Sequence, residues 1–509
     1  MRPHCRRCIE SGRKCEGPVA HEIRFMHDQA VVSHAKSKTT TPGLHRDVSL
    51  VAPQHNNEER RAFYFFLNRA APVFAGGLNA RFWLDLIPRL AQSSPFIWDA
   101  VVSISWLFER VPYDILVRRF ETQPTCIVSS DHRKAVKWYG RAIAGLRRHM
   151  ERGEIDTPVA LLSCILFISV ESQQRNIGNA LSLVETAYKL LCQSLSTSVS
   201  RLSADSLSIH EVVTPFVSRH AVLMATLGTP LPPDWSCQVE ENVLKPAVLA
   251  SLSELDESRA RLYSLTYQAY EIIRVENIQP TEDRIVKMQR VKQTLLLQDL
   301  RQWESSFVRT WRHETRNEML WAVSNLLMHW VVCYIWLSTC TSQLQTTFDD
   351  YRDQFSTILD HAEKVLKYSI GSTTGQPIFR FEIGLIPPLY FCAIKCRDPM
   401  LRRRALAMMM QAPEKESLWS SVATETMIEN VIAMEEGKPY DASQSDLTGP
   451  LPLPPEENRI HNVAVVGKDV LGGTQRFALE LSKYVTGPDG VRRMVSETVW
   501  LEEAAAEQT

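Results

Sequence analysis

Apolar residues recur at intervals of three and four over most of the chain, from residue 58 to about 435. This spacing places them on one face of an α-helix, and so it restricts this part of the chain to packed amphipathic helices. The clearest segment predicts a helix over 131–150, with these apolar positions: Val136, Tyr139, Ile143, Leu146 and Met150. We therefore predict a mostly α fold, built as a large helical array.

Two further helices follow this segment. One is predicted to begin with Thr157 as its cap and Pro158 in its first turn, where the missing N–H costs nothing. The other is predicted over 177–195, with one apolar face: Ala180, Val184, Ala187 and Leu191. The opposite face of the 131–150 helix is basic, and we expect a solvated face there rather than a DNA contact: Arg133, Lys137, Arg141 and Arg148.

Length and charge limit the classes of function. A chain of 509 residues is too long for one compact core and suggests several domains or one large array. Its net charge is −1, so the whole chain has no field that attracts nucleic acid, and any DNA affinity must be local. Eleven cysteines in this length do not form a disulfide scaffold, which favours reduced thiols inside a cell.

One apolar stretch, 319–340, is long enough to span a bilayer. It contains Asn325 and His329 and is isolated in a polar chain. We therefore predict a buried helix and no membrane association.

Composition divides the chain into five parts. We predict a metal-binding segment at 1–17, a flexible linker at 18–57, a helical domain at 58–440 and a Pro-rich linker at 441–458. A small antiparallel β segment packed on the helices is predicted at 459–502, with strands at 460–466, 475–484 and 491–500. The linker at 18–57 has no apolar heptad, so a coiled coil there is unsupported and a homodimer stays an open question.

Three cysteines near the N-terminus, Cys5, Cys8 and Cys15, have the spacing C-x2-C-x6-C. A C-x2-C pair lets two thiolates bind one metal from a single turn, but tetrahedral zinc requires four ligands. Either His4 or His21 as a fourth ligand is a weaker alternative, because no fixed geometry favours either histidine. The site is predicted to bind zinc and to be incomplete.

This segment resembles the second half of the six-cysteine binuclear zinc cluster of fungal transcription factors. The resemblance implies that Cys5 bridges two zinc ions and that Cys8 and Cys15 complete one of them. The family's first three cysteines and its basic recognition helix are absent, and Met1 falls where the loop between the two halves belongs. We expect either that the sequence starts too late or that it is a truncated paralogue.

Two helical stretches are similar to the middle domain of the same family. The first is 160–168 with Glu171, Asn176, Ala180–Leu181 and Leu190–Leu191. The second is 386–391, continued by 395–399 and by Arg402–Ala405. In the second stretch Asp398 and Pro399 are predicted to cap and start a helix whose first turn holds Arg402, Arg403 and Arg404. These cations oppose the helix dipole, and we favour an inter-helix ion-pair network over a nuclear-import signal.

The resemblance implies a nuclear, sequence-specific DNA-binding transcription regulator of fungal type, associated with double-stranded DNA and co-regulators and with control of a biosynthetic gene cluster. Four basic residues, Arg6, Arg7, Arg13 and Lys14, are predicted to contact phosphates. Because half of the cluster is absent, we expect weak zinc and DNA binding. A non-DNA-binding protein that modulates other regulators is the alternative function.

We predict that the chain is not an enzyme, since we find no candidate catalytic residues. A remote alternative is an all-α terpene cyclase-like enzyme, because Asp349 to Asp353 match DDxxD, whose carboxylates hold magnesium. The partner motif is missing downstream. Cys392 and Cys396 lie four residues apart with apolar neighbours, and we interpret them as core thiols.

Overall fold

The structure is a computed structural model that describes residues 56–76, 78–111, 127, 129–174, 176–196, 204–226, 253–277, 283–369, 379–380, 382, 384–413, 415–416, 419–437, 452–471, 474–490 and 492–502. All of them belong to one of two units into which the chain divides, Gln54–Thr509. The predicted zinc segment at 1–17 and nearly all of the predicted linker lie outside the described residues.

The described chain is mostly helical, as predicted. Its α-helices are α1 (Asn57–Phe65), α2 (Ala71–Ala75), α3 (Ile87–Ser93), α4 (Pro95–Arg110), α5 (Ser130–Glu151), α6 (Thr157–Gln173), α7 (Ile177–Ser196), α8 (Ala204–Thr226), α9 (Glu254–Asn277), α10 (Asp283–Trp311), α11 (Asn317–Thr339), α12 (Arg352–Ser369), α13 (Ile386–Lys395), α14 (Pro399–Met409) and α15 (Ser421–Glu436). Short 3₁₀ turns occupy Gln345–Tyr351 and Glu456–Asn458, and π-helical turns occupy Phe66–Ala70 and Arg81–Leu86.

Two small sheets accompany the helices. Strands β1 (Phe379–Arg380), β2 (Lys415–Glu416) and β3 (Trp419–Ser420) form the first, with β1 parallel to β2 and β2 antiparallel to β3. Strands β4 (Asn462–Leu471), β5 (Thr474–Thr486) and β6 (Arg492–Glu502) form the predicted antiparallel sheet in the order β4-β5-β6. The three strands end two to five residues after their predicted C-terminal ends. Leu479 and Leu481 of β5 belong to the hydrophobic core that the helices form.

Two apolar helices lie inside the array. Helix α6 is buried on every side and contacts α4, α7 and α8. Helix α11 contacts α9, α10 and α12, with Leu326, Ile335 and Leu337 fully buried. The segment Met319–Thr339 of α11 is long and apolar enough to cross a membrane by length and composition, a test that core helices also pass. The buried share of its most apolar window is 56%.

Helix α7 confirms its predicted face, because Ala180, Val184, Ala187 and Leu191 are all buried. The predicted cap of α6 is wrong. Asp156, not Thr157, precedes the helix, and its carboxylate accepts the N–H of Val159 at 3.3 Å. The one-residue shift has a simple reason, since a carboxylate caps as well as a hydroxyl and also interacts favourably with the helix dipole.

The predicted apolar face of α5 is partly wrong. Ile143 and Met150 are exposed, whereas the buried residues of this helix are mainly small: Ala135, Ala142 and Gly145, with His132 and Tyr139. A β-carbon on Gly145 would lie 2.8 Å from the β-carbon of Phe96. Small side chains let the backbones of α4 and α5 approach closely. Close packing of the two helices therefore decides which face of α5 is buried, rather than the position of its larger apolar residues. The four residues of the predicted basic face are all exposed.

We expect Gly145→Val to lower the free energy of unfolding by about 1–3 kcal/mol, because the added carbons overpack the α4–α5 contact. Gly140→Ala is the matched control on the same helix, since a β-carbon there meets nothing within 4 Å. It should stabilise the protein by about 0.5–1 kcal/mol. Urea denaturation measures both changes, and equal effects of the two substitutions would disprove the close contact.

Candidate functional site

The residues predicted from the sequence to bind zinc and DNA lie outside the described residues: Cys5, Cys8, Cys15, Arg6, Arg7, Arg13 and Lys14. Within the described part of the chain, no group of three or more His, Cys, Asp or Glu side chains could hold a metal ion. The strongest candidates that remain are two clusters of buried charges. We name them the Glu435 cluster and the Glu382 cluster.

The Glu435 cluster joins α13, α14 and α15. Arg397, Arg402 and Glu435 each have fully buried side chains. Arg397 Nη2 donates to Glu435 Oε1 at 2.8 Å, and the same oxygen accepts the Ile460 N–H at 2.8 Å. Arg402 Nη2 lies 2.9 Å from Glu435 Oε2, a close charge contact that is not aligned as a hydrogen bond. One carboxylate therefore neutralises two guanidinium groups and also binds the chain that leads into β4.

The cluster extends toward the sheet through two further basic residues, Lys395 and Arg459. Lys395 Nζ donates to the His461 carbonyl at 2.6 Å and to Gln345 Oε1 at 3.1 Å. Arg459 binds both carboxylate oxygens of Asp349, at 2.8 and 2.9 Å. The residues before β4 are thus attached to α13 and to the 3₁₀ turn at Gln345–Tyr351 by charge-assisted hydrogen bonds.

Burial and neighbouring charge set the ionisation of this region. Burial lowers the pKa of Lys395 to about 7, with a further contribution from Arg397. Burial also lowers the pKa of His461 to about 4, helped by Lys395 and Arg397. Burial alone would raise the pKa of Glu435, but Arg397 and Arg402 outweigh it and hold the pKa below its usual value. At neutral pH Glu435 is therefore an anion and His461 is neutral.

The Glu382 cluster joins three distant parts of the chain. Glu382 Oε2 accepts a hydrogen bond from Asn79 Nδ2 at 2.7 Å, and Oε1 accepts one from Tyr263 Oη at 3.2 Å. Arg259 forms an ion pair with the same carboxylate and donates to the Leu78 carbonyl at 2.8 Å. The cluster thereby links the segment before α3, helix α9 and the segment before α13.

Two more titratable groups, both on α8, lie close enough to Glu382 to interact with its charge. Burial lowers the pKa of Arg219 to about 10, with a contribution from Arg259. Burial likewise lowers the pKa of His220 to about 4. Burial alone would raise the pKa of Glu382, but Arg259 and Arg219 outweigh it and lower the pKa. This carboxyl is therefore also ionised at neutral pH.

A third buried carboxylate, Glu416, lies at the start of α13. It accepts the N–H groups of Gly384, Leu385 and Ile386 at 2.9–3.0 Å. Pro387 and Pro388 occupy the first turn, as predicted, and they have no N–H to donate. Glu416 therefore neutralises the positive end of this helix.

The arginine triplet forms the ion-pair network that was predicted from its position. Arg403 binds Glu436 at 2.6 Å, and Arg404 binds Asp360 at 3.1 Å and Glu363 at 2.8 Å. Asp398 caps α14 by accepting the N–H groups of Met400 and Leu401 at 3.0 Å, which confirms that prediction as well.

Two sequence motifs have a structural explanation. Asp349, the first residue of the DDxxD match, has both oxygens bound by Arg459. Cys392 and Cys396 are buried, with 0% and 3% of their surfaces exposed, as expected of core thiols. Burial raises the pKa of Cys392 well above its usual value, which leaves this thiol protonated and a poor nucleophile.

Sequence reasoning missed the acidic members of both clusters. A signal existed for Glu435 and Glu436, which lie in the last turn of α15 just before Gly437. Carboxylates oppose the dipole at that end of a helix, as arginines do at the start of α14. The acidic end of α15 and the basic start of α14 each carry charges that are unfavourable alone. Contact between these two helix ends is therefore the arrangement that the sequence predicts. Glu382 has no comparable local signal.

Both clusters connect segments that are distant in the sequence through ion pairs and hydrogen bonds. Every formal charge described in them has an opposite charge or several hydrogen-bond partners nearby. The chain matches no family model, no curated protein and no solved structure.

Proposed function

We propose that this chain is a nuclear transcription regulator of fungal type, in which a helical body carries an N-terminal zinc-cluster segment. The observation that carries the proposal is the C-x2-C-x6-C spacing of Cys5, Cys8 and Cys15 among basic residues. A second support comes from the two helical stretches that resemble the family's middle domain. Their polar residues have buried structural contacts, since Arg397 and Arg402 hold Glu435, and Glu171 accepts hydrogen bonds from Tyr139 and Asn176 at 2.8 and 2.7 Å.

A second candidate function follows from the number of thiolates in residues 1–17, which is three: Cys5, Cys8 and Cys15. Three thiolates cannot serve two tetrahedral zinc ions. A protein with this segment alone would modulate other regulators through its helical body rather than bind DNA itself. The two functions share every feature except a working DNA-binding segment.

Zinc and DNA titrations of the full chain separate the two functions. We expect at most one weakly bound zinc ion, lost in a Cys5→Ser/Cys8→Ser variant and retained in Cys340→Ser. Regulator function in this form predicts DNA binding that neutralisation of Arg6 and Arg7 weakens equally for all sequences, with a flatter salt dependence. Mass spectrometry of the metal content and gel-shift assays provide the measurements.

Tight binding of two zinc ions would contradict the incomplete site. An effect of the arginine substitutions on sequence preference alone would contradict the phosphate-contact assignment. No DNA binding at any salt concentration would leave the second candidate function in place of the first.

A further inference from the structure

Arg219 of α8 differs from the other buried arginines of the described chain. It is 9% exposed, its Nε is sealed from solvent without a partner, and its guanidinium forms no hydrogen bond or ion pair with another described residue. The four others each contact a carboxylate oxygen: Arg259, Arg397, Arg402 and Arg459. A buried charge without a contacting partner is costly to the folded state. Arg219 is therefore a candidate for a group that contacts something other than this chain.

The two acids nearest to Arg219 in charge are already occupied. Glu382 uses both carboxylate oxygens for the hydrogen bonds described above. Asp256, in the first turn of α9, is half-buried and accepts the Ser253 hydroxyl at 2.9 Å. Both carboxylates attract Arg219, but neither forms an ion pair with it. The Nη groups of Arg219 are thus left without a contacting anion from the described chain.

Glu382 compensates the burial of Arg259 but not that of Arg219. Burial alone would lower the pKa of Arg259, but Glu382 outweighs it and the pKa is raised. Burial and the charge of Arg259 lower the pKa of Arg219 to about 10, because the attraction of Glu382 and Asp256 is too weak to offset them. One carboxylate therefore balances one arginine, and one positive charge of the cluster has no contacting counter-ion.

We propose that Arg219 anchors a binding site for a small organic monocarboxylate, at the junction of α8, α9 and the segment before α13. A planar guanidinium can present two parallel N–H donors, which match the two oxygens of a carboxylate. One negative charge would complete the neutrality of Arg219, Arg259 and Glu382. The proposal is independent of the proposed function, because none of the residues that carry it lies at 1–17.

Charge and exposure select this ligand over larger or more highly charged anions. A phosphate dianion would bring its second negative charge toward Glu382, which is ionised at neutral pH, and Asp256 would add to that repulsion. Burial lowers the pKa of His220, the neighbour of Arg219, to about 4, so this side chain adds no positive charge at neutral pH. Since only 9% of Arg219 is exposed, a protein or nucleic-acid surface has little of it to contact.

Saturation-transfer NMR of the full chain at constant ionic strength tests the proposal, with acetate as the probe. We expect saturable, millimolar binding to the wild type and poor competition by inorganic phosphate. Arg219→Met should weaken acetate binding at least about tenfold, because the charge-assisted contact is lost. Arg219→Lys keeps the charge without the planar fork and should weaken it less. Arg261→Met removes an exposed arginine of α9 and is the control, which should leave binding unchanged.

The stability of the variants gives a second test that needs no ligand. Because Arg219 has no contacting counter-ion, Arg219→Met should leave the melting temperature unchanged or raise it. Arg259→Met should lower the melting temperature, since it leaves Glu382 without its ion pair. Differential scanning calorimetry at neutral pH measures both.

Three results would overturn the proposal. The first is acetate binding that is undetectable in the wild type or equally strong in Arg219→Met. The second is tighter binding of phosphate than of acetate, which would rule out a site for a monocarboxylate. The third is a melting temperature that falls as far in Arg219→Met as in Arg259→Met, which would make Arg219 a structural counter-ion of Glu382.

Discussion

Glu435→Gln is expected to lower the free energy of unfolding by about 3–5 kcal/mol, because it leaves buried positive charge without its counter-ion. Arg397 and Arg402 are fully buried and share this carboxylate. Glutamine keeps the size of the side chain and can still accept the Ile460 N–H, so most of the loss is electrostatic. Chemical denaturation followed by circular dichroism measures the change.

A matched substitution separates this effect from the loss of any ion pair. Glu363→Gln removes one of the two acidic partners of Arg404, and the Glu363 side chain is 68% exposed. Exposed pairs contribute little, and the change should be within about 0.5 kcal/mol. A loss of similar size in the two variants would show that burial of the Glu435 cluster does not matter.

The Glu435 pair also has a defined pH dependence. Its carboxyl pKa is lowered in the folded protein, so its contribution to stability is full above the unfolded pKa. The contribution is lost as the pH falls through the folded pKa. The stability difference between wild type and Glu435→Gln should therefore shrink in acid. A difference that stays constant from neutral pH into acid would contradict the ionised state of Glu435.

Arg259→Met is expected to lower the free energy of unfolding by about 3–5 kcal/mol at neutral pH. Methionine fills much of the same space, but Glu382 loses the cation that forms its direct ion pair. Asn79 and Tyr263 still donate hydrogen bonds to the carboxylate, and Arg219 remains nearby, which keeps the loss below that of an isolated buried charge. Thermal and urea unfolding measure the effect.

The pH profile of this variant distinguishes lost charge from lost packing. Without Arg259, burial should raise the folded pKa of Glu382 above its unfolded value. A raised carboxyl pKa destabilises the folded state above the unfolded pKa, and protonation relieves this as the pH falls. The deficit relative to wild type should be smaller in acid than at neutral pH. Arg261→Met, which removes an exposed cation paired with Glu257, is the control and should change stability by less than about 0.5 kcal/mol.

Helix positions were predictable wherever periodicity and end signals agreed. Helix α7 was placed within one residue of its observed ends, with the correct buried face, because its apolar residues follow one stripe and a break precedes it. The start of α14 was placed correctly because Asp398 and Pro399 act locally. The face of α5 was predicted less well. Its burial depends on how closely α4 approaches, and local sequence does not encode that distance.

The two buried clusters illustrate the same limit. The start of α14 carries three arginines: Arg402, Arg403 and Arg404. Because cations are unfavourable at the positive end of a helix dipole, this sequence indicates that acidic side chains lie nearby. Their partners lie 33 to 44 residues away, on α15 and α12. Arg259 and Glu382 are 123 residues apart, and no periodicity relates them.

The sequence alone determined the helical class, the positions of several helices such as α5 and α7, the sheet near the C-terminus and the thiol spacing on which the proposed function rests. These depend on contacts within a few residues or on one repeating face. Only the tertiary structure decided which charges are buried together and why Gly145 lies at a helix contact. Burial and charge pairing between distant segments depend on how whole helices pack, and that arrangement exists only once the chain has folded.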